Sequence, residues 1–373
     1  MSLQVCAIDA ERHRRFLLET AAAEPLSRVS FLQSPVWGRV KSAWRPESLG
    51  WFAGSELVGT ALVLHRPLLG RRSLAYIPEG PTVDWFGSGR DVAAWLRPIV
   101  AYLRARGAFS VKLGPKVVAR RLSAATVKAG MADGAMASFT DLPAETDSEA
   151  RRLVAELEAL GWRRHGGASD HGIVDVQPRH FVEIPLRGRT CAEIFASFNA
   201  QWRRNVRLAD RAGVKVWQAS VEDLPAFHTM YLETAARDGF LPRPLSYFRR
   251  MFDAYDDVQL YLAGSDGVPS AGATLIRFGN RAWYGYGAGS NARRELRAAN
   301  ALQWQLIQDC LEDGLDWYDL RGVGETLDPR HPMFGLLRFK IGTGGDLVEY
   351  PGEYDLALNR PLAAALRIYL SLR

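Results

Sequence analysis

Cysteine is scarce in this chain. The three, Cys6, Cys191 and Cys310, are far apart and odd in number, which fits neither a disulfide framework nor a zinc site. The seven histidines fall singly, with no H-x-x-x-H pair, so a histidine-based metal centre is not expected. No apolar run is long enough to span a bilayer. Residues 1–15 carry charges through their middle where a signal peptide needs an apolar core, so the protein is expected to stay in the cytoplasm. There is no G-x-S-x-G elbow and no cysteine in an electropositive motif, which argues against a covalent acyl-enzyme. A glycine-rich turn of the Q/R-x-x-G-x-G/A kind, able to grip a pyrophosphate with backbone N–H groups, is also missing. Where it would stand, before a helix at 300–313, the chain reads Arg293-Arg294-Glu295-Leu296-Arg297.

What is present suits a soluble globular protein: 373 residues, 47% hydrophobic and 24% charged, enough for two domains of ordinary size. The net charge of +6 and pI near 9.3 favour a polyanionic partner: nucleic acid, a phosphorylated substrate or an acidic membrane surface. Residues 12–23 read as a helix. Ser34 and Pro35 look like the cap and first position of another. Strands are expected at 51–52, 57–65 and 74–77, with turns at Gly54 and Gly70, then a helix at 91–106 and a strand at 109–113. A helix at 148–160 and a strand at 181–186 follow. The second half repeats the plan, with helices at 192–212, 225–237, 246–255 and 300–313 and strands at 258–265, 268–278, 281–287 and 317–320. Gly59 and Gly272 lie 213 residues apart, and the helix-ending Gly107 and Gly314 lie 207 apart. A nearly constant offset across several elements implies two related α/β domains side by side, an arrangement that commonly holds ligands in a groove.

Residues 300–353 concentrate the unusual features. An amphipathic helix ends at Gly314, a short strand runs into a turn at Arg321-Gly322, and Lys340 then sits between apolar residues just before Gly342, Gly344 and Gly345. Such a lysine has an apolar stem and a chargeable tip that could be aimed at a site; the plainer reading is a charge guarding a strand edge. Upstream, Arg203, Arg207 and Arg211 stand at i, i+4 and i+8 on one helical stripe, with Arg204 beside it.

The segment Arg-Arg-Asn-Val-Arg-Leu-Ala-Asp-Arg-Ala-Gly-Val-Lys-Val at 203–216 resembles the basic helix of the FemA/FemB/FemX-type aminoacyl-tRNA-dependent peptidyltransferases. So do Gln177-Pro178-Arg179, Tyr286-Gly287-Ala288, Tyr318-Asp319-Leu320-Arg321-Gly322, Arg338-Phe339-Lys340 with Gly344-Gly345, and Glu349-Tyr350-x-Gly352-Glu353. The likeness spans nearly the whole chain in the family's order. It is greatest to actinobacterial FemX-like members, through Tyr76-Ile77-Pro78-Glu79-Gly80-Pro81 and Leu241-Pro242-Arg243-Pro244-Leu245-Ser246-Tyr247-Phe248. No sustained heptad run follows Arg203, so the long coiled-coil arm of some members is absent or very short.

The resemblance implies an α/β fold of two tandem GNAT-like domains, with mixed β-sheets flanked by helices: 1–178 plus 353–373 on the acceptor side, and 179–352 on the aminoacyl-tRNA side. It implies transfer of an amino acid from aminoacyl-tRNA, a co-substrate with no further cofactor and no metal, to an amine on the stem peptide of a UDP-linked or lipid-linked peptidoglycan precursor, with peripheral membrane contact possible. Aminolysis of an ester needs charge compensation at the carbonyl oxygen more than it needs a nucleophile. The resemblance gives that task to Lys340, with Phe339 packing the acceptor or the tRNA end. It gives precursor binding to Lys41 (diphosphate), Arg243, Tyr247 and Tyr286; Asp319 is a candidate site residue and base. Trp202, Arg203, Arg204, Arg207 and Arg211 are the tRNA candidates, since arginine pairs phosphates and stacks on unpaired bases. The acid that family members often carry at the end of the first domain's strand is missing from Lys112-Leu113-Gly114-Pro115. Three alternatives stand beside this reading: an aminoacyl-tRNA-dependent enzyme acting on a peptide or nucleoside antibiotic, an acyl-CoA-dependent GNAT acyltransferase, and a non-catalytic RNA- or envelope-binding protein.

Overall fold

A computed structural model describes residues 3–23, 29–69, 72–87, 89, 91–133, 136–164 and 177–371; the turn expected at Gly70 lies outside them. The chain divides into two compact units. One is Met1–Arg120, Thr146–Arg179 and Glu349–Arg373; the other is Arg121–Glu145 and His180–Val348. Residues 121–145, placed with the first domain on the sequence, belong to the second unit, where Leu122, Val127, Phe139 and Leu142 join its core.

In the first unit the sheet runs Gln4–Ala7, Arg45–Ala53, Glu56–Leu69, Arg72–Ile77, Ala108–Leu113, Tyr354–Ala357 and Arg163–Arg164. Every described pairing along it is antiparallel except Arg72–Ile77 with Ala108–Leu113. The parallel pair requires a crossover, which the helix Val92–Ala105 supplies. That helix buries Trp95, Leu96, Ile99 and Leu103 against Trp51, Val63, Ala75 and Val111. The helix after Ser34 does start at Pro35 and runs Pro35–Val40, but the Ser34 side chain makes no cap hydrogen bond; the fixed φ of proline at the first position suffices to start the turn.

The second unit follows the same order: Lys215–Ala219, Val258–Ser265, Val268–Phe278, Arg281–Gly289, Trp317–Val323, His180–Pro185 and Asp346–Glu349. A parallel pair recurs, Arg281–Gly289 with Trp317–Val323, and again a helix between them, Ala298–Glu312, makes the crossover. The repeat seen as glycine spacing is thus a repeat of topology.

Two elements differ from the sequence-based expectation. The helix expected over 192–212 is two, Cys191–Ser197 and Ala200–Arg211. Phe198 is extended, and the Asn199 side chain accepts from the Trp202 N–H at 2.8 Å to cap the second helix. An asparagine N-cap with no glycine or proline nearby is easily read as helix interior. The turn expected at Arg321-Gly322 lies inside the strand Trp317–Val323. It is a β-bulge: Phe181 pairs with Gly322 and Glu183 with Asp319, so two residues oppose Val182 alone.

Candidate functional site

Lys340 stands on neither a strand nor a strand edge. It lies on the helix Phe334–Ile341, whose buried residues are Leu337, Lys340 and Ile341. Only 4% of it is exposed, and its Nζ donates to the carbonyl oxygen of Gly322 at 2.7 Å. The acceptor belongs to the bulge. Arg321 adopts φ 64° there, a backbone state costly for a residue with a Cβ. It is held by the Asp319 carboxylate, which accepts the Arg321 N–H at 2.7 Å. The Arg321 guanidinium lies 5.1 Å from the Phe181 ring centre.

Burial pushes the Lys340 ammonium down from its ordinary 10.5 to about 7. The Asp319 carboxylate opposes that fall and the Arg321 cation adds to it. The result is an amine whose charge is balanced near neutral pH, in a setting where a charge acts through little water. Asp319, expected as a substrate contact or base, is fully buried and here braces the bulge while favouring the ammonium.

Phe339 and Trp202 meet at 4.7 Å between ring centres, and the indole N–H donates to the Phe339 carbonyl at 2.7 Å. Trp202 is buried at 3% exposure. A Cβ on Gly342 would fall 2.2 Å from its ring, so glycine there lets the tryptophan close over the end of the lysine helix. The indole expected to face tRNA therefore packs inside, fixing the helix that carries Lys340. A cleft of about 440 Å³ adjoins it, lined by Asn199, Trp202, Arg297, Asn300, Arg338 and Phe339 among others.

The arginine stripe is also rearranged. Arg203 is half-buried and turns its guanidinium onto the carbonyls of Ala196 (3.0 Å) and Phe198 at the end of the preceding helix. Arg204, Arg207 and Arg211 are exposed. Arg207 lies 5.6 Å from the Phe195 ring centre and, with Asp210, Lys215 and Trp304, lines a second cleft of about 620 Å³.

Arg243, Tyr247 and Tyr286 come together in the second unit. The two tyrosine hydroxyls share a hydrogen bond of 2.8 Å, and the Arg243 guanidinium lies 5.6 Å from the Tyr247 ring centre. Burial raises the pKa of both phenols, so they stay neutral donors at neutral pH. Lys41 belongs to the first unit, where it ends the helix Pro35–Val40 and its Nζ lies 4.6 Å from the Trp37 ring centre.

The strand ending at Leu113 has acids beside it after all, contributed by the chain's last segment. A Cβ on Gly114 would lie 3.3 Å from the Glu353 Cγ; the Glu353 carboxylate accepts from the Tyr76 hydroxyl at 2.6 Å, and Asp355 pairs with Lys112 at 2.7 Å. Glu353 stands in the 349–353 motif, but nothing local ties it or Asp355 to a strand some 240 residues upstream. Among the described residues no group of three or more His, Cys, Asp or Glu side chains could hold a metal ion.

A sequence model described as the FemAB family matches residues 20–266 and 261–370. The lipid II:glycine glycyltransferase of Staphylococcus saprophyticus is 26% identical over 399 residues, covering 89% of each chain. Among solved structures, FemX superposes with a TM-score of 0.79 at 22% identity, over 97% of this chain and 99% of that one. A tandem GNAT protein from the clavulanic acid biosynthesis pathway gives 0.50 at 13% identity, over 95% and 98%. The fold is accordingly the mixed α/β fold of tandem GNAT proteins.

Proposed function

The chain belongs to the FemAB family and is an aminoacyltransferase, and from that premise we propose that it moves an amino acid from aminoacyl-tRNA to an amine on the stem peptide of a peptidoglycan precursor. The observation that carries the mechanism is Lys340: a buried amine, tied to a bulge carbonyl, with its charge in balance near pH 7.

The acceptor nitrogen attacks the ester carbonyl carbon, so a C–N bond forms as the bond to the ribose oxygen breaks. The attacking nitrogen gives up a proton to solvent, and the departing ribose oxygen takes one. Negative charge gathers on the carbonyl oxygen between these events, and the Lys340 ammonium offsets it; losing one such donor costs about 2.7–4 kcal/mol. The aminoacyl end of the carrier enters the cleft beside Phe339, where Arg297 and Arg338 are placed to meet phosphate. The exposed Arg204, Arg207 and Arg211 engage the acceptor arm further out. Arg243, Tyr247 and Tyr286 take the sugar and diphosphate end of the precursor. Since the staphylococcal relative is named for lipid II, the precursor is read as lipid-linked and the enzyme as working at the cytoplasmic membrane face.

The test is an assay with labelled aminoacyl-tRNA and a muropeptide acceptor, either lipid-linked or UDP-linked. Label on the muropeptide is the expected result. Ester hydrolysis without transfer to either acceptor would overturn the reading.

A further inference from the structure

Among the described residues no helix is long and apolar enough to cross a membrane, yet one loop of the second unit offers water a surface that suits lipid better. The helix Leu224–Asp238 ends at Gly239, whose φ of 74° turns the chain sharply. The next residues are Phe240 and Leu241. Leu241 is 91% exposed, the highest value among the exposed large hydrophobic side chains described, and Phe240 is 38% exposed. Leu232, on the same helix one turn after His228, is 43% exposed.

The loop is fixed in place. The Phe240 ring rests 5.5 Å from that of Tyr231, the Phe240 N–H donates to the Ala235 carbonyl at 3.3 Å, and the Arg243 carbonyl lies 3.0 Å from the His228 ring nitrogen. Pro242 and Pro244 restrict φ on either side of Arg243. A held apolar tip in water gains nothing for the isolated fold, and such features mark contact surfaces.

The surrounding charge says what the surface meets. Arg243 and Arg249 are exposed near the tip in sequence, Arg237 is paired with Asp238 at 2.9 Å, and the exposed Asp253, Asp256 and Asp257 follow only beyond the next helix turns. An exposed apolar tip followed at once by an exposed arginine matches the boundary between acyl chains and anionic headgroups. Only Pro242 separates Leu241 from Arg243, whose guanidinium lies over Tyr247 in the precursor cluster. A lipid-linked precursor carries its diphosphate at headgroup level, so a leucine seated just below that level places Arg243 level with it.

Resting on the lipid-linked reading above, we propose that Phe240 and Leu241 insert shallowly into an anionic bilayer surface, so that the Arg243–Tyr247–Tyr286 cluster takes its substrate at the membrane plane. The test uses the full chain and flotation with phosphatidylcholine vesicles, with and without phosphatidylglycerol. Parent protein should float with the anionic vesicles and less with the neutral ones. Leu241→Glu should lower the anionic partition about tenfold, the scale of withdrawing one leucine side chain from lipid, and Leu241→Trp should preserve or strengthen it. In parallel, Leu241→Glu should slow transfer to lipid-linked precursor in those vesicles while leaving transfer to UDP-linked precursor in solution unchanged. Absence of parent binding, or equal flotation of Leu241→Glu, overturns the proposal. So does equal impairment with both precursors, which would make Leu241 part of the substrate site. If neither precursor is accepted by the parent, the functional reading fails while flotation still decides the membrane contact.

Discussion

The two units share a strand order but differ where their parallel strands part. In the first, Arg72–Ile77 stays paired with Ala108–Leu113 from Ser73↔Ala108 to Ile77↔Leu113. In the second, pairing begins at Arg281↔Trp317 and ends at Trp283↔Asp319, although both strands continue to Gly289 and Val323. Tyr286 and Gly322, the acceptor for Lys340, both lie beyond the last paired residue. The crossover helices differ too. In the first unit Asp91 caps the helix, its carboxylate accepting the Ala94 N–H at 2.7 Å. In the second the cap position is Arg297 at φ 57°, which makes no side-chain cap bond. One copy closes its sheet and satisfies its helix end with its own anion. The other opens its sheet and sets arginine at the helix end, where a ligand's negative charge is favoured. The same topology thus serves as scaffold in one copy and, on our reading, as the acyl-carrier site in the other.

The sharpest way to break this contrast is Lys340→Met. Single-turnover transfer should fall by about 10²–10³, while denaturant unfolding at pH 7 should change little, because relief from burying the ammonium is offset by the buried Gly322 carbonyl and Asp319 carboxylate that lose it. The sign can be followed with pH. The folded pKa lies below 10.5, so the unfolded chain holds this proton more tightly. The cost of burial is full below about pH 7 and is relieved as pH rises toward 10.5, so the stability of the methionine variant relative to the parent should fall over that window. Loss of activity with loss of stability would instead make Lys340 structural.

Arg297→Asp gives the second helix the kind of cap the first one has. It should raise the KM for aminoacyl-tRNA about tenfold, since an acid then faces the carrier's phosphates. The counterpart Asp91→Ala should cost about 1 kcal/mol of stability and leave the transfer rate unchanged. A smaller effect is expected from Asp319→Asn. Removing the anion that supports the ammonium lowers the Lys340 pKa further, so the loss of rate at alkaline pH should begin at lower pH, with a several-fold decrease at pH 7. An unmoved pH profile would separate Asp319 from the chemistry. Charge reversal at Arg204 and Arg207 should weaken aminoacyl-tRNA use and flatten its salt dependence. Unchanged transfer would make them solvated surface charges.

Much of the architecture could be read from local pattern, because alternating strands and glycine-ended helices carry their signals within a few residues. The strands Val258–Ser265 and Val268–Phe278 were expected at the bounds observed. What escaped was set by contacts distant in sequence. The apolar run around Lys340 holds no period that separates a short buried helix from a strand. Asn199 breaks a helix with the residue type that also starts one. Arg321 shows its positive φ only weakly in sequence: the Asp319 carboxylate two residues before it is a local turn signal, but the Lys340 ammonium on Gly322 comes from 18 residues downstream. Trp202 looked available to tRNA because its burial depends on Gly342, 140 positions away in the fold's numbering. The site's residue types were legible through family likeness; their division between contact and support was not.

The strand Tyr354–Ala357 pairs with Ala108–Leu113 on one side and Arg163–Arg164 on the other. During synthesis, Ala108–Leu113 emerges with its neighbour Arg72–Ile77 but waits for some 240 further residues before its other edge is covered. An uncovered edge is an open template for wrong partners, and nascent chains ordinarily fold from the amino end as domains are completed. Here the unit begun first is sealed last, after the ribosome has made the whole of its sister, so an early stop near the carboxyl end would expose the older half of the protein.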